Sequence, residues 1–136
     1  MNAFGSLHLD DAHIERAPDG SAVNVLLRVE RGALTRFTLP AGVTSRAVMH
    51  RTVDEIWLVL SGTGTLWRRL GTREEVVAAR PGLSVTIPVG TCFQWRVDAS
   101  EPLVVVAATM PPWPGNEEAI IVNGPWTPSV PKADAP

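Results

Sequence analysis

Short stretches in which hydrophobic and polar residues alternate recur along most of this chain. Val, Ile, Leu, Thr and Trp dominate these stretches, and prolines and glycines separate them. Alternation with a period of two, bounded by turn residues, is typical of β-strands that bury one face. We predict strands over residues 24–30, 33–39, 44–50, 55–60, 64–70, 74–78, 83–87, 93–97 and 103–110.

Turn residues frame the central strands at residues 40–42, 61–64, 81–82 and 88–90. Proline fixes φ and glycine permits a positive φ, so both favour tight turns at these places. The sequence contains no convincing long amphipathic helix. We therefore predict an all-β domain, because a sandwich or barrel is how many short antiparallel strands hide their edges.

The length and the charge limit the class of protein. A chain of 136 residues has the size of one domain, and 45% hydrophobic with 19% charged residues is a globular balance. The net charge is −2, and no basic stripe with interleaved aromatic residues is present, so we expect no nucleic-acid partner.

The cysteine content and the N-terminal residues bear on location. The single cysteine, Cys92, excludes an intrachain disulfide and fits a reducing compartment. The N-terminus lacks a signal-peptide pattern, and no apolar stretch approaches the ~20 residues of a membrane helix. We expect a cytoplasmic protein with no membrane partner.

The two ends differ from the core. Residues 1–22 are polar and weakly patterned, and we interpret His8 and His13 as surface residues. Residues 111–136 are rich in proline and carry Trp113 and Trp126, which favour burial. We predict a single domain over residues 1–136, with a core barrel at about 23–110. The C-terminal arm, 111–136, is expected to be ordered as far as Trp126 and frayed over 131–136.

Residues 42–62 begin and end with glycine, and His50 and Glu55 lie between Gly42 and Gly62. This pattern resembles the first motif of the cupin superfamily, in which metal ligands lie at fixed spacings between two glycines. Val48 stands where the first histidine of that motif belongs.

Residues 82–97 resemble the second cupin motif. Gly82, Pro88 and Gly90 match it, whereas Phe93 and Val97 replace its histidine and asparagine. The resemblance covers roughly residues 30–110 and implies a cupin-like double-stranded β-helix, or jelly-roll barrel, with a degenerate metal-ligand motif. Cupins include dioxygenases, isomerases, epimerases, decarboxylases and binding proteins, so the fold does not define a function.

Strand parity predicts which side chains enter the barrel, because residues two apart share a face. Arg46, Val48 and His50 should point inward together, as should Glu55 and Trp57, with Val59. His50 and Glu55 are then two candidate ligands for one divalent ion, Fe, Mn, Ni or Zn. The bland alternative is a hydrogen bond from His50 to Glu55 or to a backbone carbonyl, or a solvated Glu55 at the strand end.

The register of the strand after Gly90 has two possibilities. In the family register, Phe93, Trp95 and Val97 face inward and supply no ligand. A shift by one residue would turn inward the alternate set Cys92, Gln94 and Arg96, which would make Cys92 a third metal ligand. Cys92 is otherwise interpreted as a small buried hydrophobe.

These candidates suggest three functions. The first is a small-molecule-binding cupin with little or no metal chemistry, whose ligand lies in the barrel interior. Its candidate ligand-binding residues are Arg46, His50, Glu55, Trp57, Trp67, Cys92 and Gln94. Among them, the arginine would favour an acidic ligand. The two tryptophans could stack on a planar or sugar-like molecule or simply belong to the core.

The second possibility is a metal-dependent enzyme of the dioxygenase or isomerase type, in which His50, Glu55 and either Cys92 or water hold the ion. The third is a structural or regulatory domain that dimerises through a sheet edge. In that case the C-terminal arm clasps either its own barrel or that of its partner. The resemblance implies a homodimer in any of these cases.

Overall fold

The strands of this protein form two antiparallel sheets in a computed structural model that describes residues 4–130. Residues 1–3 and 131–136, including the end predicted to be frayed, lie outside the described residues. Strands β1 to β11 span His13–Arg16, Ala22–Val29, Gly32–Leu39, Val48–His50, Asp54–Ser61, Gly64–Leu70, Arg73–Ala79, Ser84–Ile87, Cys92–Val97, Leu103–Met110 and Ala119–Ile121. Two short 3₁₀ turns, Leu9–Asp11 and Asn116–Glu118, complete the described elements.

The two sheets face each other as the halves of a barrel. The first has the order β1-β2-β3-β10-β5-β8 and the second the order β11-β4-β9-β6-β7. Both consist of antiparallel pairs of strands that are often distant in sequence, such as β10 with β3 and with β5. This all-β jelly-roll architecture confirms the predicted fold class.

The hydrophobic core lies between the two sheets. Leu39, Leu66, Ile87 and Leu103 are fully buried there. Alternation on β5 explains the packing, because its even-numbered residues face outward while its odd-numbered ones, including Trp57, enter the core. The Trp57 ring has edge-on and stacked aromatic neighbours from both sheets. They are Phe37 at 5.2 Å, Phe93 at 4.8 Å and Trp95 at 5.7 Å between ring centroids.

The observed strands correct three details of the predicted ones. The strand expected over residues 44–50 is regular only from Val48 to His50, and Thr44 forms an isolated bridge to Arg96. Strands β1 and β11 were not predicted. All four residues of β1 are exposed, so it has no hydrophobic alternation and is held by backbone pairing to β2. The three residues of β11 are too few to show a period.

The C-terminal arm crosses the outer face of the five-stranded sheet. Trp126 and Val122 pack against the buried side chains of Ala47, Trp67 and Cys92. The Gln94 amide is fully buried beneath the arm and exchanges hydrogen bonds with the backbone of Trp126, at 2.8 and 3.2 Å. Within the described chain, the arm therefore clasps its own barrel.

Gly62, the last glycine of the first motif, occupies a crowded turn. Its φ is +82°, and a Cβ at this position would collide with the carbonyl oxygen of Pro102. Only glycine combines this backbone conformation with such a close approach. The structural need of the turn, independent of any ligand, therefore accounts for this motif residue.

Neither helical segment of residues 4–130 has the length or the apolar character needed to cross a bilayer.

Candidate functional site

A cavity of about 320 Å³ opens between the two sheets. Four aromatic side chains line it, namely Phe37, Trp57, Phe93 and Trp113. The first three come from strands of the barrel, and Trp113 comes from the start of the C-terminal arm. Its volume lies near the lower end of the range for small-molecule sites.

His50 and Glu55 meet at the inner end of the cavity. His50 ends β4 and Glu55 is the second residue of β5, so the short connection between these strands brings their side chains together. The distance from His50 Nδ1 to Glu55 Oε2 is 3.3 Å, and the side chains are only 6% and 7% exposed. The other carboxyl oxygen, Oε1, accepts a hydrogen bond of 2.5 Å from Trp57 Nε1.

Burial shifts the pKa values of these two groups in opposite directions. It raises the pKa of Glu55 to about 8; the Trp57 hydrogen bond opposes this shift, and the carboxyls of Asp19 and Glu118 reinforce it. Burial also lowers the pKa of His50 to about 4, against the attraction of Glu118. At neutral pH the pair is therefore mostly an uncharged carboxylic acid beside an uncharged imidazole.

Asp19 adds a second buried carboxyl to the cavity wall. Its Oδ1 accepts hydrogen bonds from the backbone N–H and the hydroxyl of Ser21, at 2.9 and 2.7 Å. Burial raises the pKa of Asp19, although the Ser21 bonds and the nearby Arg46 favour its charged form. The turn before β2 thus places an acidic group near Glu55.

Glu118 fastens the arm beside this cluster. Its carboxylate accepts hydrogen bonds from the Thr52 and Val53 backbone N–H groups and from the Thr52 hydroxyl, at 2.5, 2.9 and 2.6 Å. Burial alone would raise the pKa of Glu118. These bonds and the nearby His50 outweigh it, so the pKa is lowered. The same segment brings the Trp113 ring to 4.9 Å from the His50 ring.

Three of the predicted ligand-binding residues line the cavity, namely His50, Glu55 and Trp57. The inward parity predicted for β5 is confirmed, as is the family register of β9. Val48 pairs with Phe93, and Phe93, Trp95 and Val97 belong to the inner core.

Cys92 lies on the opposite face of β9, which corrects the expectation that it could complete a metal site with His50 and Glu55. It is buried between Ala47 and Trp67 under the arm, and Arg69 Nη2 lies 3.7 Å from its sulfur. Because neighbouring residues of a strand point to opposite faces, the family register excludes the placement that metal binding would need.

Trp67, Gln94 and Arg46 also lie elsewhere than predicted. Trp67 is buried in the outer cluster with Cys92, and its Nε1 donates to Glu74 at 2.6 Å. Gln94 binds the arm. Arg46 is buried but is not part of the cavity wall. Its Nη1 donates to the Pro18 carbonyl at 3.4 Å, and its backbone N–H to that of Asp19 at 2.9 Å.

Sequence reasoning missed four polar or aromatic residues in or beside the site: Asp19, Thr109, Trp113 and Glu118. Asp19 reads as an ordinary turn residue between proline and glycine, and Glu118 belongs to a polar stretch. Thr109 is visible only through the sheet register, which places it opposite Glu55. Trp113 did carry a signal, because a tryptophan in a proline-rich arm is poorly placed in water.

The donor set of the cavity bears on the metal that the cupin fold implies. A catalytic metal site commonly has three protein ligands. Within residues 4–130, no group of three or more His, Cys, Asp or Glu side chains is arranged to hold an ion. Val48 and Phe93 are apolar, and one oxygen of Glu55 is bonded to Trp57. The residues present do not fit such a centre.

The two sheets form a barrel with a pocket between them, and residues of the two glycine-bounded motifs line this pocket. This arrangement defines a cupin-type domain. A sequence profile of the cupin domain family matches residues 35–109, more than half of the chain. The chain belongs to the cupin family. No curated protein sequence matches it.

Solved structures with the same fold are distant in sequence. A single-residue variant of Streptomyces PAC13, solved with uridine, has a TM-score of 0.70 at 13% identity, covering 89% of this chain and 92% of that one. The polyketide cyclase RemF from Streptomyces resistomycificus has a TM-score of 0.69 at 19% identity, covering 89% and 87%.

The capsular polysaccharide assembling protein CapF from Staphylococcus aureus has a TM-score of 0.67 at 18% identity. The match covers 83% of this chain and 34% of CapF, so this chain spans about a third of that protein. At these identities the likenesses establish the fold alone.

Proposed function

We propose that this protein binds a neutral, planar small molecule inside its barrel without a resident metal ion. The observation that carries the proposal is the cavity of about 320 Å³ between the sheets. Its aromatic walls suit a flat apolar body, and the polar groups at its inner end can fix the orientation of that body.

The charges of the cavity support an uncharged ligand. Glu55 and His50 are both mostly neutral at pH 7, because burial raises the pKa of one and lowers that of the other. The two arginines in the wall, Arg16 and Arg28, are exposed and therefore lie on the solvent side. An anionic group at the inner end would be desolvated beside the carboxyls of Asp19 and Glu55, where the described wall has no cationic side chain, and this is costly. We therefore propose a neutral ligand in place of the acidic ligand that an inward-facing Arg46 would favour.

Two solved proteins of similar fold support a ligand of this kind. PAC13 was solved with uridine, and RemF is called a polyketide cyclase. Uridine is neutral and contains a planar ring. Each is a distant relative, so the agreement adds support only to the size and general chemistry of the ligand.

Two fluorescent probes test the proposal. N-phenyl-1-naphthylamine and 1-anilinonaphthalene-8-sulfonate share one aromatic skeleton and differ by a sulfonate. We expect the neutral probe to bind at least about tenfold more tightly, a difference of ~1.4 kcal/mol. Equal affinities, or tighter binding of the anion, would contradict a neutral ligand.

A cavity-filling variant locates the probe. Ala33 lines the cavity, so Ala33→Phe should weaken the neutral probe, whereas Ala99→Phe in an exposed turn should not. Loss of binding in both variants, or in neither, would place the probe elsewhere.

Metal content separates this proposal from the metal-dependent dioxygenase or isomerase. Protein purified without chelator should contain far less than one equivalent of Fe, Mn, Ni or Zn. A near-stoichiometric ion, lost in Glu55→Gln, would support the metal enzyme instead.

The homodimer and the cytoplasmic location stay predictions. Support for a dimer comes from aliphatic side chains on the outer face of β5, where Ile56, Leu58 and Leu60 are 46%, 42% and 45% exposed. Light scattering of the wild type and of Leu58→Glu tests this. We expect a dimer that the variant weakens, and a monomeric wild type would refute it.

A further inference from the structure

We propose that the cavity catalyses proton transfer, with His50 as the acid–base group that touches the substrate and Glu55 as the residue that positions it. The substrate class is a neutral planar carbonyl or heteroaromatic compound with an acidic C–H bond. The reaction class is isomerisation or elimination. This inference rests on the proposed binding site and adds a reaction to it.

The geometry identifies the nitrogen that would react. His50 Nδ1 lies 3.3 Å from Glu55 Oε2, close but without hydrogen-bond geometry, and no other described group bonds to it. Nδ1 therefore faces Glu55, and Nε2 is left for a molecule in the cavity that the ring lines. Within residues 4–130, no side chain forms a hydrogen bond to Nε2. Catalytic hydrogen bonds often tighten only when the substrate binds.

His50 Nε2 can carry a proton or a free lone pair, depending on the protonation of Glu55. When Glu55 is protonated, its O–H donates to Nδ1, so the neutral imidazole carries its proton on Nε2 and can act as an acid. When Glu55 is ionised, it accepts the proton from Nδ1–H, so Nε2 has a free lone pair and can act as a base. The pKa of Glu55, about 8, places both forms within reach near neutral pH.

Other charged groups act on this pair from neighbouring elements. Asp19, in the turn before β2, and Glu118, on the arm, both favour the protonated form of Glu55. Arg46 acts on Asp19 from the chain before β4. The Trp57 N–H favours the ionised form of Glu55 through its hydrogen bond to Oε1.

The step is balanced without an oxidant or a metal. Nε2 takes the proton from carbon, and the electron pair of the C–H bond moves toward the carbonyl oxygen to give an enolate. The imidazolium is stabilised by the Glu55 carboxylate and returns the same proton to another carbon. The net result is an isomer of the substrate, and both residues regain their starting states. In an elimination, the enolate electron pair instead expels a leaving group from the neighbouring carbon, and the imidazolium gives its proton to that group.

The probe for the test is 5-nitrobenzisoxazole, a neutral bicyclic compound that reports proton removal. A base takes the proton from the ring carbon next to nitrogen, that bonding pair forms a nitrile, and the N–O bond breaks to release a coloured phenolate. Its rate of opening is measured against pH for the wild type, His50→Gln and Glu55→Gln. His13→Gln, an exposed histidine outside the site, is the matched control.

We expect the wild-type rate to rise as the pH passes about 8 and to level off above it. His50→Gln should lower the plateau by at least about 100-fold, the lower end for a positioned general base. Glu55→Gln should remove the inflection near pH 8, which a merely structural role for Glu55 would leave in place. His13→Gln should behave as the wild type.

Binding is measured alongside the rate, through displacement of N-phenyl-1-naphthylamine, and it shows that each variant keeps its cavity. If that dye binds but 5-nitrobenzisoxazole neither displaces it nor opens faster than with His50→Gln, the inference fails and the proposed function stands. A wild-type rate without the inflection also overturns the inference. If the dye itself does not bind, both fail.

Discussion

Removing the Glu118 carboxylate should destabilise the protein because three groups of the β4–β5 connection lose their acceptor together. Glu118 is 4% exposed, and Val53, whose N–H it accepts, is fully buried. A hydrogen bond to a charged group contributes about 1.5–3 kcal/mol, and a buried donor left unsatisfied costs about 1–3 kcal/mol. Thr52 is exposed and water can replace part of its bonding. We therefore expect Glu118→Ala to lower the free energy of unfolding by roughly 2–4 kcal/mol.

Glu118→Gln separates the charge from the contacts, since its amide can still accept from both N–H groups and donate to the Thr52 hydroxyl. We expect a loss of about 1–2 kcal/mol at neutral pH, in the range of one charge-assisted hydrogen bond. The pKa of Glu118 is lowered in the fold, so its contribution is present above the unfolded pKa and is lost as the pH falls through the folded one. The difference between wild type and Glu118→Gln should accordingly shrink on acidification.

Urea unfolding followed by tryptophan fluorescence measures both variants, with the exposed neighbour Glu117→Gln as the matched control. The control should stay within about 0.5 kcal/mol of the wild type. A loss below about 1 kcal/mol in Glu118→Ala would refute the view that this carboxylate fastens the arm.

Three further predictions concern Glu55, the motif turn and the arm. The raised pKa of Glu55 means that its contribution is fully present below the unfolded value and is lost as the pH rises through about 8. Urea unfolding should therefore show Glu55→Gln gaining on the wild type by at least about 1 kcal/mol between about pH 5 and pH 9, and a constant difference would contradict the shift. Gly62→Ala should lower the free energy of unfolding by at least about 3 kcal/mol in the same assay, because its Cβ meets the Pro102 carbonyl. Gly71 also has a positive φ but lies in open space, so Gly71→Ala should lower it by about 1 kcal/mol. Equal losses would show that crowding is unimportant there. Gln94→Leu should cost about 2–4 kcal/mol, because the arm backbone loses a buried amide, and should speed proteolysis of the arm; an unchanged proteolysis rate would argue against the clasp.

The sequence was sufficient for the barrel and for the inner pair. Strict alternation placed Glu55 and Trp57 inside, because one face of β5 is buried and the other is open. The same rule could not decide the register of β9, whose two faces are both buried for most of its length. The arm covers the outer face there, so Cys92 and Gln94 look like core residues in either register.

The rest of the site depends on contacts between distant segments. Asp19 and Glu118 are separated by about a hundred residues and act on the same pair from two different elements. No local pattern marks either residue, since a carboxyl in a turn and a carboxyl in a polar stretch are usually solvated. Asp19 and Glu118 raise the pKa of Glu55 only because the fold brings the three carboxyls together away from water.

A crystal structure of untreated protein soaked with N-phenyl-1-naphthylamine tests the central claim most directly. The account predicts that the dye lies in the cavity between Trp57, Phe93 and Trp113, with no metal ion bound to His50 and Glu55. A metal ion bound to this pair, or a dye bound outside the cavity, would contradict it.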